Sequence, residues 1–424
     1  MNETKHIKTA ISCQDDYDPE SLTPDQANRR IRDSISVSEA TETVAIRDSL
    51  GRILAADIVS SMNVPSATNS AMDGYAIRGI DLADTGIKSF ELIGNSYAGN
   101  AFNGIVMEHQ CVRIMTGAVM PNGTNTVVMQ EHIELVDENT IRIGQDTKPG
   151  ANVRQAGEDI GTGDIVLTKG QLLSPADIGL IASLGQAEVT VYKKLRVAFF
   201  STGDELRSIG EELEPGMIYD SNRYTLYGML NQLDVEIIDL GVIRDVKEDI
   251  DNAFQTASKQ AEVIITSGGV SVGDADYVKA SLESQGEMNF WKVAMKPGRP
   301  LTFGKINQAY FFGLPGNPVS VMVTFYQFVQ PALKYMMGNQ YLDTFTIKVP
   351  CESKLRKRPG RVEYQRGILS KNENGELTVR KTGAQGSGIL KSMSSANCFI
   401  VLPLDSDGIQ AGDWVDVQLF NGSL

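Results

Sequence analysis

The sequence contains few of the residues and segments that mark several large classes of protein. Its 4 cysteines include no CxxC pair and are scattered, at Cys13, Cys111, Cys351 and Cys398. This spacing suggests neither a disulfide framework nor a cysteine zinc site, and it favours a reducing compartment. The opening segment lacks the unbroken apolar stretch of a signal peptide, and glycine and proline interrupt the most apolar region, residues 309–337. We therefore expect a cytoplasmic protein with no membrane span.

Acidic residues outnumber basic ones. The sequence has 39 Lys and Arg and 53 Asp and Glu, which gives a formal net charge of -14. A non-specific nucleic-acid binder needs a basic face that displaces counterions from phosphate, so this balance argues against one. Any anionic ligand must be bound by local groups. With 424 residues, the chain is long enough for about three or four domains of ~100–150 residues.

The pattern of apolar and polar residues changes along the sequence. Residues 24–47 show a helical pattern, and from Leu50 to about Tyr192 short β-like runs alternate with turns. A helix opening with Ser174 as its cap interrupts those runs. From Leu195, apolar strands without alternation are separated by helices, which predicts a doubly wound, mostly parallel α/β sheet. From about Tyr341 the β texture returns and predicts a small C-terminal β-domain.

The predicted parallel strands end in polar and acidic residues. The first strand runs into Thr202-Gly203-Asp204-Glu205, the second into Arg244-Asp245, and the third into residues 267–276. Ligands of open parallel sheets bind outside the carboxyl ends of the strands. Because crowded carboxylates oppose one another's ionisation, we expect one or two of these acids to bind a hard cation such as Mg²⁺. The alternative for any one acid is a solvated loop residue.

Anion-binding features follow on the same edge. The segment SGGVSVG, residues 267–273, supplies small residues whose backbone N–H groups can approach a phosphate, and KVAMKPGRP adds Lys292 and Lys296. Acids, lysines and a glycine-rich loop together are what a metal-bridged phosphate requires. The turn GLPGNPVS, residues 313–320, is either a rigid helix start or a wall of the ligand crevice.

Residues 269–273 also spell the GxSxG motif of serine hydrolases. That fold requires a histidine downstream of the serine, whereas all 3 histidines, His6, His109 and His132, lie upstream. A serine hydrolase is therefore disfavoured.

Several segments together carry a resemblance to a known family: SAMDGYA, MTGAVMP, GEDI, FFSTGDEL, IYDSN, TSGGVSVGDADY, KVAMKPGRP, FGLPGNPVS and RPGRVEYQRG. In this order, from about Leu22 to the end, they resemble the molybdopterin molybdenumtransferase family, which is related to the gephyrin E domain. The resemblance implies four domains: a split linking domain (17–60 and 150–193), an inserted β-domain (61–149), a molybdopterin-binding α/β domain (194–340) and a C-terminal β-barrel-like domain (341–424).

The resemblance also implies an activity. Members insert molybdate into adenylylated molybdopterin, release AMP and form molybdenum cofactor, with a divalent cation for which we expect Mg²⁺. The dithiolene sulfurs and molybdate oxygens are the reacting atoms, so the protein contributes positioning and electrostatics. A homodimer with a cleft between subunits is implied, and contact with the molybdopterin adenylyltransferase and with acceptor apoenzymes is expected.

The expected site residues fall into three sets. Those expected to act on the substrate are Asp73, Thr116, Asp159, Glu205, Asp245, Asp276, Lys292 and Lys296. Those expected to bind the cofactor are Thr202, Gly203, Ser267, Gly268, Gly269, Ser271, Gly273, Pro315, Gly316, Asn317, Pro318, Arg366 and Ser387. The expected metal ligands are Glu205, Asp245 and Asp276. One departure is Gln155, which stands where many members have a second arginine before GEDI.

Two other functions stay open at this point. A non-catalytic pterin or cofactor carrier, or a scaffold, would bind the substrate without releasing AMP. A molybdopterin adenylyltransferase would use a similar α/β domain, but it would leave the additional β-domains unexplained.

Overall fold

The computed structural model describes residues 20–82, 86–268, 278, 281–282, 286–340 and 345–420. They form two compact units. The larger unit comprises residues up to 42, residues 51–53 and residues from 191 onward, and the smaller unit comprises residues 43–50 and 54–190. Within the described ranges, every helix is too short or too polar to cross a bilayer.

The α-helices of the described residues include α1 (Pro24–Ser34), α2 (Pro175–Ser183), α3 (Ser221–Asn231), α4 (Lys247–Gln260), α5 (Pro318–Thr324), α6 (Gln330–Met336) and α7 (Leu390–Ser394). A π-helical turn, Phe325–Val329, joins α5 to α6. Short 3-10 turns occupy Ile46–Asp48, Gly79–Asp81 and Gln130–His132.

The first strands are β1 (Thr41–Ala45), β2 (Ile58–Val59), β3 (Asn69–Ser70), β4 (Gly74–Ile77), β5 (Lys88–Ser96), β6 (Gln110–Ile114), β7 (Thr126–Met129), β8 (Ile133–Asp137), β9 (Thr140–Ile143), β10 (Val153–Arg154), β11 (Ile165–Leu167) and β12 (Glu188–Tyr192). The α/β part of the larger unit contains β13 (Arg196–Thr202), β14 (Leu206–Arg207), β15 (Ile218–Tyr219), β16 (Glu236–Ile243), β17 (Val263–Ser267), β18 (Gly286–Lys292), β19 (Met295–Lys296), β20 (Pro300–Ile306) and β21 (Ala309–Leu314). The C-terminal strands are β22 (Thr346–Pro350), β23 (Leu355–Arg356), β24 (Val362–Lys371), β25 (Leu377–Lys381), β26 (Cys398–Leu402), β27 (Gly408–Ile409) and β28 (Trp414–Leu419).

The smaller unit is built on a six-stranded sheet in the order β7-β4-β6-β5-β9-β8. Its β5–β6 pairing is parallel and its other pairings are antiparallel. Side chains alternate along β4, so that Tyr75 and Ile77 pack in one apolar cluster and Ala76 in another. The predicted helix at Ser174 is confirmed as α2, whose N-terminus is closed by a capping box between Ser174 and Asp177.

The larger unit contains the predicted doubly wound sheet, in the order β16-β13-β17-β21-β20-β18. The first four strands are parallel, and β20 and β18 extend the sheet by antiparallel pairing. On one face, α4 packs its Phe254 ring edge to face against Phe200 and Phe311, with ring centroids 5.3 and 5.5 Å away. The helix α3 also contacts β13 and β16, and it contacts α5 as well. The mostly parallel α/β prediction is confirmed.

The C-terminal part of the larger unit is β-rich, as predicted. Its main sheet has the order β19-β24-β26-β28-β22, with β25 paired to β24. The turn NENGE joins β24 and β25 as an antiparallel pair. Because β19 pairs with β24, the chain that leaves β18 enters this second sheet at Met295 and Lys296.

The helix predicted over residues 24–47 is wrong beyond its first part. A capping box between Thr23 and Gln26 starts α1, and the helix ends at Ser34 because Ile35 is extended, with φ -104° and ψ 157°. The following segment TETVA forms strand β1. Its β-branched residues favour a strand over a helix.

Candidate functional site

The strand order of the α/β sheet fixes where a ligand crevice opens. From β13 the chain goes first to β16 on one side and then to β17 on the other side of β13. This reversal is a topological switch point, and open α/β sheets bind ligands outside the carboxyl ends of the strands at such a point. The crevice therefore lies where Thr202 ends β13 and Ser267 ends β17.

Gly268 allows the ends of β13 and β17 to approach each other closely. Its φ is +93°, and a Cβ at this position would lie 2.7 Å from the carbonyl oxygen of Thr202. Only glycine fits here, because any side chain would be strained and would also collide with backbone. The N–H of Gly268 donates to the carbonyl oxygen of Leu314 over 3.1 Å, which brings the end of β21 to the same place.

Three carboxylates gather beside the crevice on the β13 and β16 side. The N–H of Asp245 donates to Asp204 Oδ1 over 3.3 Å. Burial, followed by the charges of Asp204 and Glu205, raises the pKa of Asp245 above its ordinary value. The predicted convergence of acids at this edge is therefore found for Asp204, Glu205 and Asp245.

Glu205 and Asp245 are oxygen donors of the kind that a hard divalent cation prefers, and bound positive charge would offset the repulsion that raises the pKa of Asp245. Across the part of the chain that the structure describes, no group of three or more His, Cys, Asp or Glu side chains is placed to hold a metal ion. Of the expected ligands, Glu205 and Asp245 lie within that part, and Asp276 lies outside it. The magnesium site stays a prediction.

The turn after β21 forms the next wall of the crevice. Pro315 is buried, Gly316 and Asn317 are exposed, and Pro318 is the first residue of α5, as its sequence position predicts. The side chain of Asn222, in the first turn of α3, reaches this turn. Its Nδ2 donates to Gly316 O over 2.7 Å and to Ser267 Oγ over 2.8 Å.

Several buried polar atoms around these strand ends have no hydrogen-bond partner among the described residues: Ser201 Oγ, Thr266 Oγ1, Asp220 Oδ2 and Asn222 Oδ1. Asp220 is the N-cap of α3, and its other oxygen accepts a hydrogen bond from the N–H of Arg223 at 3.1 Å. An unsatisfied buried polar group costs ~1–3 kcal/mol. Such groups concentrated at a crevice are typical of a surface shaped for a polar ligand rather than for stability.

The two predicted lysines lie away from the acid cluster. Because β18 runs in the same direction as β21, Lys292 at its carboxyl end lies on the same sheet edge as the acids, at the opposite margin. Five inter-strand steps of about 4.8 Å separate β16 from β18, or about 24 Å in all. Lys296 belongs to β19, and its Nζ lies 3.1 Å from Oε1 of the buried Glu363.

The two C-terminal candidates, Arg366 and Ser387, lie close to the start of α5. The Ser387 carbonyl oxygen accepts from the N–H of Val319 over 3.0 Å. The Arg366 side chain is buried, and it donates to the Gly386 carbonyl oxygen and to Ser392 Oγ, each over 3.0 Å. Burial lowers the pKa of Arg366 to about 10, so the guanidinium is still charged at neutral pH.

The smaller unit holds the other predicted residues. Thr116 donates to Asp73 Oδ1 with both its N–H and its hydroxyl, each over 2.7 Å. These bonds, with the N–H first, lower the pKa of Asp73, which is therefore ionised at neutral pH. Asp159 is exposed, and its backbone N–H donates to Val64 O over 3.1 Å.

Four expected site residues lie outside the described residues: Gly269, Ser271, Gly273 and Asp276. Conversely, Asp220 and Asn222 were not predicted as site residues, although both occur in the segment IYDSN, which contributed to the resemblance. A signal in the sequence could have identified them: a helix-capping residue, Asp220, and an amide, Asn222, stand at the start of the helix that follows the first parallel strand.

Comparisons with known proteins agree along the length of the chain. Three family models match in order: the MoeA N-terminal region (domain I and II) at residues 22–185, a probable molybdopterin binding domain at residues 198–335, and the MoeA C-terminal region (domain IV) at residues 348–420. The chain is 44% identical to the molybdopterin molybdenumtransferase of Haemophilus influenzae over 95% of its own length and 100% of that protein. It is 37% identical to gephyrin of Dictyostelium discoideum over 91% of its own length and 60% of that protein.

A solved structure of the molybdopterin biosynthesis moeA protein from Pyrococcus horikoshii has the same fold. It superposes with a TM-score of 0.82 at 30% identity, over 94% of this chain and 100% of that one.

Proposed function

Because this chain belongs to the molybdopterin molybdenumtransferase family, we propose that it is a transferase that inserts molybdate into adenylylated molybdopterin and releases AMP. The observation that carries this proposal is the end-to-end match to a known enzyme of that name. The crevice at the β13–β17 switch point lies within the segment that matches the molybdopterin-binding model, so substrate binding is assigned to these strand ends.

The two margins of the sheet edge have different roles in this proposal. Glu205 and Asp245, with Asp276, would hold a Mg²⁺ ion, and the repulsion that Asp245 experiences from Asp204 and Glu205 favours cation binding there. When bound, the cation neutralises charge on the phosphoanhydride of the substrate. Lys292 and Lys296 supply positive charge for anionic groups at the other margin. An elongated substrate, with a nucleotide at one end and a pterin at the other, suits this separation.

The protein's own groups act by orientation. The turn of Pro315 to Pro318 and the strand ends at Thr202, Gly203, Ser267 and Gly268 place backbone groups around the substrate. Arg366 and Ser387 lie beside the start of α5, where a buried guanidinium favours an oxyanion such as molybdate. No step requires a protein nucleophile: the dithiolene sulfurs displace oxygen from molybdate, which leaves as water, and an oxygen of molybdate or water attacks the phosphoanhydride and releases AMP.

We further propose that the protein works in the cytoplasm as a homodimer, with Asp73, Thr116 and Asp159 of one subunit completing the cleft of the other. The ionised, doubly hydrogen-bonded Asp73 is a rigid acceptor suited to such a role. Contacts with a molybdopterin adenylyltransferase, which supplies the substrate, and with acceptor apoenzymes belong to the same proposal.

The direct test is release of AMP from adenylylated molybdopterin, followed with and without molybdate and after removal of divalent cations. We expect molybdate-dependent release that chelation abolishes and Mg²⁺ restores. Tight binding of the substrate without release of AMP would overturn the proposed transferase activity and would favour a carrier. Full turnover after thorough chelation would overturn only the proposed role of Mg²⁺ and would leave the proposed transferase activity standing.

A further inference from the structure

The side chain of Asn222 connects two of the loops that the strand ends present to the crevice. Its Nδ2 lies 2.8 Å from Ser267 Oγ, at the end of β17, and 2.7 Å from Gly316 O, in the turn that follows β21. Neither acceptor is on the same element as Asn222, which belongs to α3. One amide group therefore holds three elements together at the point where the sheet ends.

The chemistry of this connection requires a primary amide. The nitrogen of an asparagine side chain carries two N–H groups, one for each acceptor, whereas an ionised aspartate can only accept and alanine can do neither. Asn222 is 9% exposed, so the space around it is filled. Glutamine carries the same amide on a longer stem, and the closed surroundings do not accommodate the extra methylene group.

The connection sits where the backbone ladder between β17 and β21 stops. Ser267 pairs with Leu314 in the parallel register, and within the described residues the final backbone hydrogen bond of this pairing runs from the N–H of Gly268 to Leu314 O. At this point the Asn222 side chain adds a second connection between the end of β17 and the turn after β21.

We propose that Asn222 is a positioning residue of the molybdenum transfer reaction, which fixes the end of β17 at Ser267 relative to the turn at Gly316 beside the substrate crevice. This inference rests on the proposed function. Asn222 acts through Ser267 and Gly316 and not on the reacting atoms. Its remaining side-chain oxygen is buried and makes no hydrogen bond with the residues that the structure describes.

The test compares Asn222→Ala and Asn222→Asp with Asn231→Ala, an asparagine substitution at the exposed end of the same helix. Values of kcat and KM for adenylylated molybdopterin are measured by AMP release at a temperature where thermal denaturation shows each protein to be folded. We expect kcat/KM to fall at least about tenfold in both Asn222 variants, because strand ends that are no longer connected orient the substrate less well; tenfold corresponds to about 1.4 kcal/mol of transition-state stabilisation. The Asn231 variant stays within about twofold of the wild type.

A pH series gives a readout that general loosening of the fold would not reproduce. A protonated aspartate can donate to Gly316 O, whereas its ionised form repels that oxygen. The activity of Asn222→Asp relative to wild type should therefore rise as pH falls, while the ratio for Asn222→Ala stays flat.

The outcomes separate the two proposals. A wild type that releases no AMP overturns the proposed function and this inference together. An active wild type with Asn222 variants equal to Asn231→Ala overturns only the role of Asn222. If Asn222→Ala does not fold, Asn222→Asp decides, and a relative activity that is flat with pH counts against the inference.

Discussion

The carboxyl group of Asp245 shows how a single residue can serve a site at the expense of the fold. Burial and the neighbouring charges of Asp204 and Glu205 raise its pKa in the folded protein. In the unfolded chain these effects are absent, so the group loses its proton at a lower pH. As pH rises from the unfolded pKa to the folded pKa, the unfolded state binds fewer protons than the folded state, and stability falls. At neutral pH the ionised group is destabilising.

Replacing Asp245 with asparagine should therefore separate stability from activity. We expect Asp245→Asn to raise the melting temperature at pH 7 by about 1–3 °C, with the gain disappearing near pH 3, where wild-type Asp245 is protonated in both states. Turnover should fall at least about tenfold, since the loss of ~1.4 kcal/mol of interaction already has that effect.

Thermal denaturation across pH and AMP release are the two measurements, with Asp239→Asn as the control. Asp239 is bound to Arg223 by a salt bridge of 2.9 Å, so its replacement should lower stability at neutral pH instead. Wild-type turnover in Asp245→Asn would mean that this acid is only a loop residue.

Single residues of the site were predictable to different degrees. The acids were found because they follow apolar strands directly, and strand ends are where ligands of such sheets bind. Asn222 was not found, because its role depends on Ser267 and Gly316, which are 45 and 94 positions away in the chain. Likewise, the acids and the lysines were predicted on one edge of the sheet, but nothing in the sequence indicated the distance that separates them along that edge.

At the scale of elements, the features of helices and strands that depend on neighbouring residues were predictable from the sequence. The cap at Ser174 predicted the start of α2, and the apolar strands predicted the parallel sheet. The end of α1 was missed, because no glycine or proline marks it. The hairpin of β18 and β20 was not identified either, since its segments were interpreted mainly for their lysines and its pairing partners lie outside local sequence.

The ends of β13 and β17 approach each other closely at Gly268, and a substitution there measures how strongly this approach is constrained. Gly268→Ala should lower the free energy of unfolding by about 2–4 kcal/mol, combining left-handed strain of ~1 kcal/mol with overpacking of ~1–3 kcal/mol against Thr202. Gly210→Ala is a matched control, because Gly210 has φ +91° and open space around its Cβ position.

Denaturant unfolding of both variants gives the comparison. The control should lose only about 1 kcal/mol from strain. Equal losses at the two glycines would show that the strand ends can separate without cost, which would contradict a crevice of fixed shape.

At the scale of the whole molecule, the proposed shared cleft predicts complementation between damaged subunits. Asp73→Ala and Asp245→Ala chains should each be nearly inactive alone. In a heterodimer of the two, both defects fall in one cleft and the other cleft is intact. Random exchange makes about half of the dimers mixed, so the mixture should regain roughly a quarter of wild-type AMP release if the sites are independent.

Subunit exchange must be demonstrated with separable tags, and mixing two preparations of the same variant is the control. A fully exchanged mixture that stays as inactive as either parent would place all the essential residues of a cleft in one subunit.

The discontinuous path of the chain through the larger unit has a consequence for synthesis on the ribosome. The N–H of Leu22 donates to the carbonyl oxygen of Lys292, 270 residues further along, and α1 contacts the π-helical turn that follows later still. At translation rates of ~5–20 residues per second, α1 waits about 14–54 s before these partners are made. Throughout that time its apolar residues Ala27 and Ile31, buried in the finished protein, are without them. The smaller unit is complete by residue 190 and is ready to fold first. Nascent chains of this protein therefore leave the apolar face of α1 unburied until the larger unit is complete.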